Sequence, residues 1–90
     1  MRYLVCYDVS DDRRRSQLAT ALLDFGRRVQ ESVFTAELDE GLHARMVERV
    51  RGIVGGEDRL LVVALCAACE LRAEATGMGD GLMERKYFVV

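Results

Sequence analysis

The feature that most constrains the fold is a nearly continuous run of β-branched and aromatic residues, RYLVCYDV, from Arg2 to Val9. A run of this kind, without polar alternation, is typical of a strand that is buried on both faces of a sheet. Ser10 and Asp11 follow as candidate N-cap residues, and apolar residues then recur at helical spacing until Gly26, a candidate C′ residue. The chain is therefore predicted to begin with a strand, a tight turn and a helix.

The rest of the sequence predicts one further helix and three further stretches of extended structure. In chain order these are extended residues 28–38, a helix capped by Asp39 and ended by Gly55 and Gly56, a buried strand at 59–65 and a last strand at 84–90. The first stretch, RVQESVFTAEL, is compatible with one bulged strand or with a short edge strand followed by a longer one. A cysteine-containing segment and a glycine-spaced loop at 77–81 join the last two strands.

The order β-α-β-β-α-β matches the ferredoxin-like pattern, an α+β sandwich in which both helices cover one face of an antiparallel sheet. We therefore expect a single ferredoxin-like domain over residues 1–90 with an additional C-terminal strand. Residues 84–90 could pair with an edge of their own sheet or with that of a second copy, and we favour the second copy. A homodimer would also supply burial that a chain of 90 residues lacks alone.

The charge of the chain gives a mixed indication about nucleic acid. The net charge of −2 creates no overall field that attracts a polyanion. Five arginines nevertheless lie close together in the sequence, with only Asp24 among them as an acid: Arg13, Arg14, Arg15, Arg27 and Arg28. The planar guanidinium suits bidentate phosphate contacts, which makes these arginines candidate nucleic-acid-binding residues. The alternative is a solvated basic face in a protein whose genome favours arginine codons.

The sequence also limits the environment of the protein. No apolar run approaches the roughly 18 residues that a membrane span requires. Three cysteines, an odd number, do not make a disulfide framework. The spacing Cys66-x-x-Cys69 offers two sulfur ligands where structural zinc needs four, and the thioredoxin-like setting of a redox pair is absent. We expect a cytoplasmic protein with no membrane partner and with no zinc or redox role for this pair.

Asp8 is the foremost candidate for chemistry because it stands where the first strand ends, among apolar neighbours. A carboxylate in buried surroundings needs a partner that offsets its desolvation. A hard divalent cation such as Mg²⁺ is one such partner, and a two-fold axis would bring a second Asp8 to it. The alternative is that Asp8 caps the following turn or pairs with an arginine.

In their order and spacing, these residues resemble the CRISPR-associated protein 2 family over almost the whole chain. The matching segments are Tyr7-Asp8-Val9-Ser10-Asp11-Asp12 with the arginines after it, Arg28-Val29-Gln30, Ser32-Val33-Phe34, Glu37-Leu38, Leu65-Cys66-x-x-Cys69 and an apolar terminal strand. The resemblance implies a ferredoxin-like homodimer whose C-terminal strands exchange between subunits. It also implies that Asp8 lies at the dimer interface as the ligand of Mg²⁺ (or Mn²⁺).

The resemblance further implies a function in CRISPR adaptation, the acquisition of spacers in prokaryotic antiviral defence. Members are described as metal-dependent endonucleases on RNA or duplex DNA, and residues matching Arg15, Arg28 and Phe34 are tied to activity. We expect Phe34 to pack or shape the site. The first alternative is a non-catalytic dimeric scaffold that binds duplex DNA and bridges the CRISPR integrase (CRISPR-associated protein 1). The second is an unrelated toxin-like ribonuclease or ligand-binding ferredoxin-like domain.

Two residues depart from the family pattern. Gln17 stands where many members have a further basic residue, which weakens phosphate contact near the expected metal site. Glu31 replaces a common aromatic residue and is expected to place negative charge close to Arg28. The sequence leaves open whether RNA or DNA is the substrate, which metal is used and which CRISPR subtype the protein serves.

Overall fold

The computed structural model describes residues 1–72, which form four strands and three helices. In chain order these are β1 (Arg2–Asp8), α1 (Asp12–Leu23), β2 (Arg27–Gln30), β3 (Val33–Glu37), α2 (Glu40–Arg51), β4 (Arg59–Leu65) and α3 (Ala67–Arg72). The strands form one sheet in the order β2-β3-β1-β4, and every neighbouring pair is antiparallel. This is the ferredoxin-like α+β arrangement that the sequence predicts. The expected loop at 77–81 and the expected strand at 84–90 lie outside the described residues.

The core lies between the helices and one face of the sheet. Alternate residues of β1, Val5 and Tyr7, are buried there with apolar side chains of both helices and of β3. The other large side chains of this core are Leu18 and Leu22 from α1, Phe34 from β3, and Met46 and Val50 from α2. The helical spacing of the apolar residues in α1 and α2 therefore produces the packing that the sequence predicts.

The second face of the sheet differs from the expectation that β1 and β4 are buried on both sides. On β1, Leu4 and Cys6 are only partly buried and Asp8 is exposed. On β4, Leu61 is 59% exposed. The reason is that α1 and α2 pack on the same face of the sheet. An apolar run does not reveal which of its two faces is covered within one chain.

Both helices begin where the sequence predicts and end earlier. The Asp11 carboxylate accepts a hydrogen bond of 2.8 Å from the Arg14 backbone N–H, and Asp39 accepts one of 2.8 Å from Leu42, so each aspartate is an N-cap. Helix α1 has Asp24 as its C-cap, two residues before Gly26. Helix α2 has Gly52 as its C-cap, before Gly55 and Gly56. The predictions that these three later glycines end the helices are wrong.

Gly26 is needed for a close approach of two backbone segments. A Cβ atom at this position would lie 2.1 Å from the carbonyl oxygen of Thr35 and 2.7 Å from the Cβ of Ala36. These distances are far shorter than any real Cβ contact, and the nearest atom belongs to the rigid backbone of β3. Only glycine therefore allows the chain to enter β2 at this distance from β3.

The extended segment 28–38 resolves into two strands. Strands β2 and β3 form a hairpin joined by Glu31 and Ser32, with a register shift between Arg28 and Gln30. The short edge strand followed by a longer one is therefore correct, and a bulge is present as well. Helix α3, which contains Cys69 and starts directly after Cys66, is not predicted by the sequence. No helix among residues 1–72 is long and apolar enough to cross a membrane.

Replacement of Gly26 should show the cost of this close approach. We expect Gly26→Ala to lower the free energy of unfolding by about 1–3 kcal/mol, because the new methyl group displaces the backbone of β3. Gly56→Ala is the matched control, since a Cβ there would meet no atom within 4 Å. Urea unfolding of both variants measures the effect. Equal stability of the two variants would contradict the close approach.

Candidate functional site

Asp8 ends β1 and lies at one end of the sheet. In the antiparallel register it is opposite Arg59 of β4. Its side chain is exposed, and within residues 1–72 its carboxylate forms no hydrogen bond or ion pair. The expectation that a buried environment forces a partner on Asp8 is therefore wrong for the single chain. Its carboxylate oxygens are instead available to a ligand from outside the protomer.

A shallow cavity of about 400 Å³ adjoins Asp8. It lies between the ends of β1 and β4, and its lining is almost entirely apolar apart from Asp8 and Arg59. The other lining residues are Cys6, Tyr7, Leu60 and Leu61. The carboxylate thus stands at the border of an apolar surface. This surface continues along the face of the sheet opposite α1 and α2, which we call the open face.

Arg15 holds the loop that follows Asp8. Its Nη1 donates hydrogen bonds to the carbonyl oxygens of Val9, at 2.9 Å, and Ser10, at 3.2 Å, and its Nη2 forms an ion pair with Asp12. The Val9 and Ser10 carbonyls leave the sheet at the end of β1 and find their partner in this guanidinium. Arg15 therefore acts on the candidate site by fixing the backbone beside Asp8.

Arg14 forms an ion pair with Asp58, a residue that the sequence analysis missed. Its Nε and Nη2 donate to the two carboxylate oxygens at 2.9 and 3.3 Å, and the Gly55 N–H donates to the same carboxylate at 2.7 Å. The Asp58 side chain is only 3% exposed. The hydrogen bonds from Arg14 and then from Gly55 lower the pKa of Asp58. Because Arg14 is paired with Asp58, its positive charge is less available to a phosphate. The phosphate contact expected of Arg14 stays a prediction.

Phe34 and Arg28 form a second contact of the candidate site. The Phe34 side chain is 1% exposed and packs against Tyr7, with ring centroids 6.2 Å apart. The exposed Arg28 places its guanidinium carbon 5.3 Å from the centre of the Phe34 ring, a cation–π contact. Phe34 therefore contributes packing and orients Arg28, in agreement with the packing role expected for it.

Arg15 and Arg28 both line a groove of about 480 Å³ between α1 and the β2–β3 hairpin. Glu31 lines the same groove and places a negative charge near both arginines, as the sequence analysis expects of it. The remaining lining residues are Ser16, Ala19, Thr20 and Leu23. Asp8 lines the other cavity, so Arg15 and Arg28 share a groove that does not include Asp8, and Arg15 is linked to Asp8 only through the backbone of Val9 and Ser10. Of the other two arginines in the predicted basic cluster, Arg13 is exposed and Arg27 is partly buried.

The donor set for a metal is incomplete within one chain. Residues 1–72 contain no group of three or more histidine, cysteine, aspartate or glutamate side chains that could bind a metal ion. The Asp8 carboxylate is nevertheless a hard oxygen donor with no competing partner in this part of the chain. Mg²⁺ is commonly bound by one or two carboxylates together with water and phosphate oxygens. Asp8 therefore fits such an ion once a second chain or a nucleic acid supplies further oxygens.

The model of the family described as CRISPR associated protein Cas2 matches residues 1–73 of this chain. The chain belongs to the Cas2 family. A Cas2 endoribonuclease from Chloroflexus aurantiacus is 37% identical over 81 residues, which are 88% of this chain and 87% of that protein. One from Rhodospirillum rubrum is 38% identical over 77 residues, which are 84% of this chain. The chain spans 62% of the length of the Rhodospirillum relative.

Solved Cas2-like structures share the fold. The hypothetical protein TT1823 from Thermus thermophilus is 37% identical with a TM-score of 0.78, over 88% of this chain and 93% of that one. Streptococcus pyogenes Cas2, crystallised at pH 6.5, is 28% identical with a TM-score of 0.77, over 86% of this chain and 100% of that one. The family resemblance is thereby confirmed, and the alternative of an unrelated toxin-like or ligand-binding domain is wrong.

The ion pair between Arg14 and Asp58 should make the stability of the fold sensitive to acid. Because the folded state lowers the pKa of Asp58, its carboxylate stabilises the protein above the pKa of an unfolded aspartate, about 3.9. This stabilisation is lost as the pH falls through the lower pKa of the folded state. We expect the Tm of the wild type to decrease in this acidic range more steeply than that of Asp58→Asn, which should already be less stable at neutral pH.

Thermal melts followed by circular dichroism from neutral to acidic pH would measure this difference. Asp24→Asn is the matched control, because Asp24 pairs with Arg49 across 2.6 Å on the surface, where both side chains are about half exposed. We expect its acid dependence to resemble that of the wild type. If Asp58→Asn also kept the slope of the wild type, Asp58 would not be the source of the acid sensitivity.

Proposed function

We propose that this protein is a homodimeric component of CRISPR adaptation with Mg²⁺-dependent endonuclease activity on RNA or duplex DNA, acting in the cytoplasm. The observation that carries the proposal is the exposed Asp8 carboxylate at the end of β1, which has no partner within residues 1–72. Its family supports the reaction class, because relatives are named endoribonucleases and, in a Thermus thermophilus protein, an endonuclease.

The open face of the sheet supports a homodimer. Leu4 and Cys6 of β1 stand opposite Val63 and Leu61 of β4, and these side chains share the face of the sheet opposite α1 and α2. Leu61 is 59% exposed in the single chain. Contiguous apolar surface of this kind is typical of an interaction site, and a two-fold axis through it would bring together two copies of Asp8. Two carboxylates would then be available to one cation.

The residues around Asp8 support hydrolysis of a phosphodiester. A bound Mg²⁺ or Mn²⁺ would polarise the phosphate and lower the pKa of a water molecule. Asp8 would hold the ion, and Arg15 would keep the loop after Asp8 in place through Val9 and Ser10. Arg28, exposed above Phe34, offers a positive charge to a phosphate, and Glu31 moderates the affinity of this surface.

The alternative is a scaffold that binds duplex DNA and bridges the CRISPR integrase (CRISPR-associated protein 1) without catalysis. Two observations favour it: residues 1–72 provide only a single available carboxylate where metal chemistry is expected, and Arg15 and Arg28 line a groove that does not include Asp8. In this case the arginines would contribute sequence-independent phosphate contacts, together with Arg13 and Arg27.

Replacement of Asp8 distinguishes the two functions. We expect Asp8→Asn, which preserves size, to lower Mg²⁺-dependent cleavage of labelled RNA or duplex DNA by roughly 100-fold or more, since losing a ligand should cost at least as much as the ~10–100-fold lost with a residue that only orients one. Mn²⁺ binding, followed by electron paramagnetic resonance, should weaken in parallel. The stoichiometry should be one ion for two chains.

Glu48→Gln is the control for this experiment, because it removes one negative charge from the exposed surface of α2. It should cleave and bind Mn²⁺ as the wild type does. Equal cleavage by the wild type and Asp8→Asn, or no cleavage by either, would reject catalysis and leave the scaffold function. One ion per chain would contradict the shared site.

The contribution of Arg28 can be tested through the salt dependence of binding. If Arg28 contacts one phosphate, Arg28→Gln should weaken binding to duplex DNA and reduce the slope of log K against log salt by about 1. Arg51→Gln removes the same charge from the last turn of α2 and should leave the slope unchanged. Fluorescence anisotropy over a range of salt concentrations provides both slopes. Equal changes in both variants would show an effect of net charge without a direct contact.

A further inference from the structure

Cys66 and Cys69 lie together at the start of α3. Cys66 immediately precedes the helix and Cys69 is in its first turn, so their spacing places both on one side of the helix. Their sulfur atoms are 3.5 Å apart, and both residues are exposed. The sequence does not indicate this contact, because it does not predict α3.

The surroundings of Cys66 favour its thiolate. The backbone N–H of Cys69 is the largest cause that lowers the pKa of the Cys66 thiol, followed by the Cys69 thiol and the backbone N–H of Ala68. The thiolate is the species that attacks a disulfide. Cys66 therefore has the properties of an attacking thiol, and Cys69 stands where a resolving thiol is needed.

Closure of the pair requires only a small movement. Disulfide sulfurs are about 2.05 Å apart, so the two sulfurs, which are 3.5 Å apart, must approach each other by about 1.5 Å. Metal binding is a weaker explanation, since the described residues bring no third donor to this pair.

We propose that Cys66 and Cys69 form a redox-active dithiol that small disulfides of the glutathione class oxidise reversibly to an intramolecular disulfide. The Cys66 thiolate attacks one sulfur of the small disulfide, which forms a mixed disulfide and releases one small thiolate. The Cys69 thiolate then attacks the Cys66 sulfur, closes the protein disulfide and releases the second small thiolate. The protein loses two electrons to the oxidant, and the two thiol protons pass to solvent or to the released thiolates.

The pair lies far from the candidate metal residue. Cys66 follows Leu65, which is paired with Arg2 at one end of β1, whereas Asp8 is at the other end. At ~3.3 Å per strand residue, these two ends are roughly 20 Å apart. Oxidation can therefore be tested independently of the proposed nuclease or scaffold function, and failure of either proposal would leave the other intact.

The test uses the full chain equilibrated in mixtures of reduced and oxidised glutathione, quenched in acid and alkylated. Trypsin places Cys66 and Cys69 together in the peptide of residues 60–72 and Cys6 in that of residues 3–13. As the mixture becomes more oxidising, alkylation of both cysteines in the peptide of residues 60–72 should disappear at one potential. The mass of this peptide should then be that of an internal disulfide. Both cysteines should again be alkylated after reduction. The Cys6 peptide should remain alkylated.

Three variants complete the test. Cys66→Ser and Cys69→Ser should each abolish the internal disulfide, whereas Cys6→Ser should oxidise as the wild type does. When only one cysteine of the pair remains, Cys66 in Cys69→Ser should form the glutathione adduct several-fold faster than Cys69 in Cys66→Ser. Three thiols free at every potential would overturn the proposal. A persistent glutathione adduct in the wild type, or a disulfide between two chains, would also overturn it.

Discussion

The central position of β1 is the constraint on which the rest of the structure depends. This strand is hydrogen-bonded to β3 along one edge and to β4 along the other, over most of its length. Because all neighbouring strands are antiparallel, β1 is parallel to β2 with β3 between them, and β3 is parallel to β4 with β1 between them. The connections from β1 to β2 and from β3 to β4 must therefore cross over the sheet, and α1 and α2 make these crossings on one face. Side chains of β1 that point toward the helices enter the core, and those that point away remain on the open face. The place of Asp8 at the end of the sheet follows from the same strand.

The arginines show how a basic cluster in a sequence divides once the chain is folded. Arg14 is opposite a carboxylate that is almost fully withdrawn from water, and without this arginine Asp58 would be a buried charge without a countercharge. Arg15 satisfies two carbonyl oxygens at the point where β1 leaves the sheet. Arg28 lies above an aromatic ring and keeps its charge at the surface. The arginines of one cluster therefore serve an ion pair inside the fold, the position of a loop and a surface charge, respectively.

The sequence predicts the fold well because its strongest signals are local. The strand run before Ser10, the caps Asp11 and Asp39 and the helical spacing of apolar residues all act within a few positions. The errors arise from contacts between distant segments. The close approach of Gly26 to Thr35 and the ion pair of Arg14 with Asp58 depend on the folded chain, and a glycine in sequence indicates only conformational freedom. The position of Asp8 could be predicted, but its exposure could not, since that depends on which face the helices cover.

The alternation of side chains along β1 links the candidate site to the surface expected to form the dimer. Val5 and Tyr7 are in the core, so Leu4, Cys6 and Asp8 share the opposite face. A partner that covers the apolar part of this face must come close to the carboxylate at its end. Two carboxylates brought together in this way would repel each other, and a cation held between them would offset this repulsion. Metal affinity and self-association should therefore be coupled, because the same strand supplies the apolar surface and the charged group at its end.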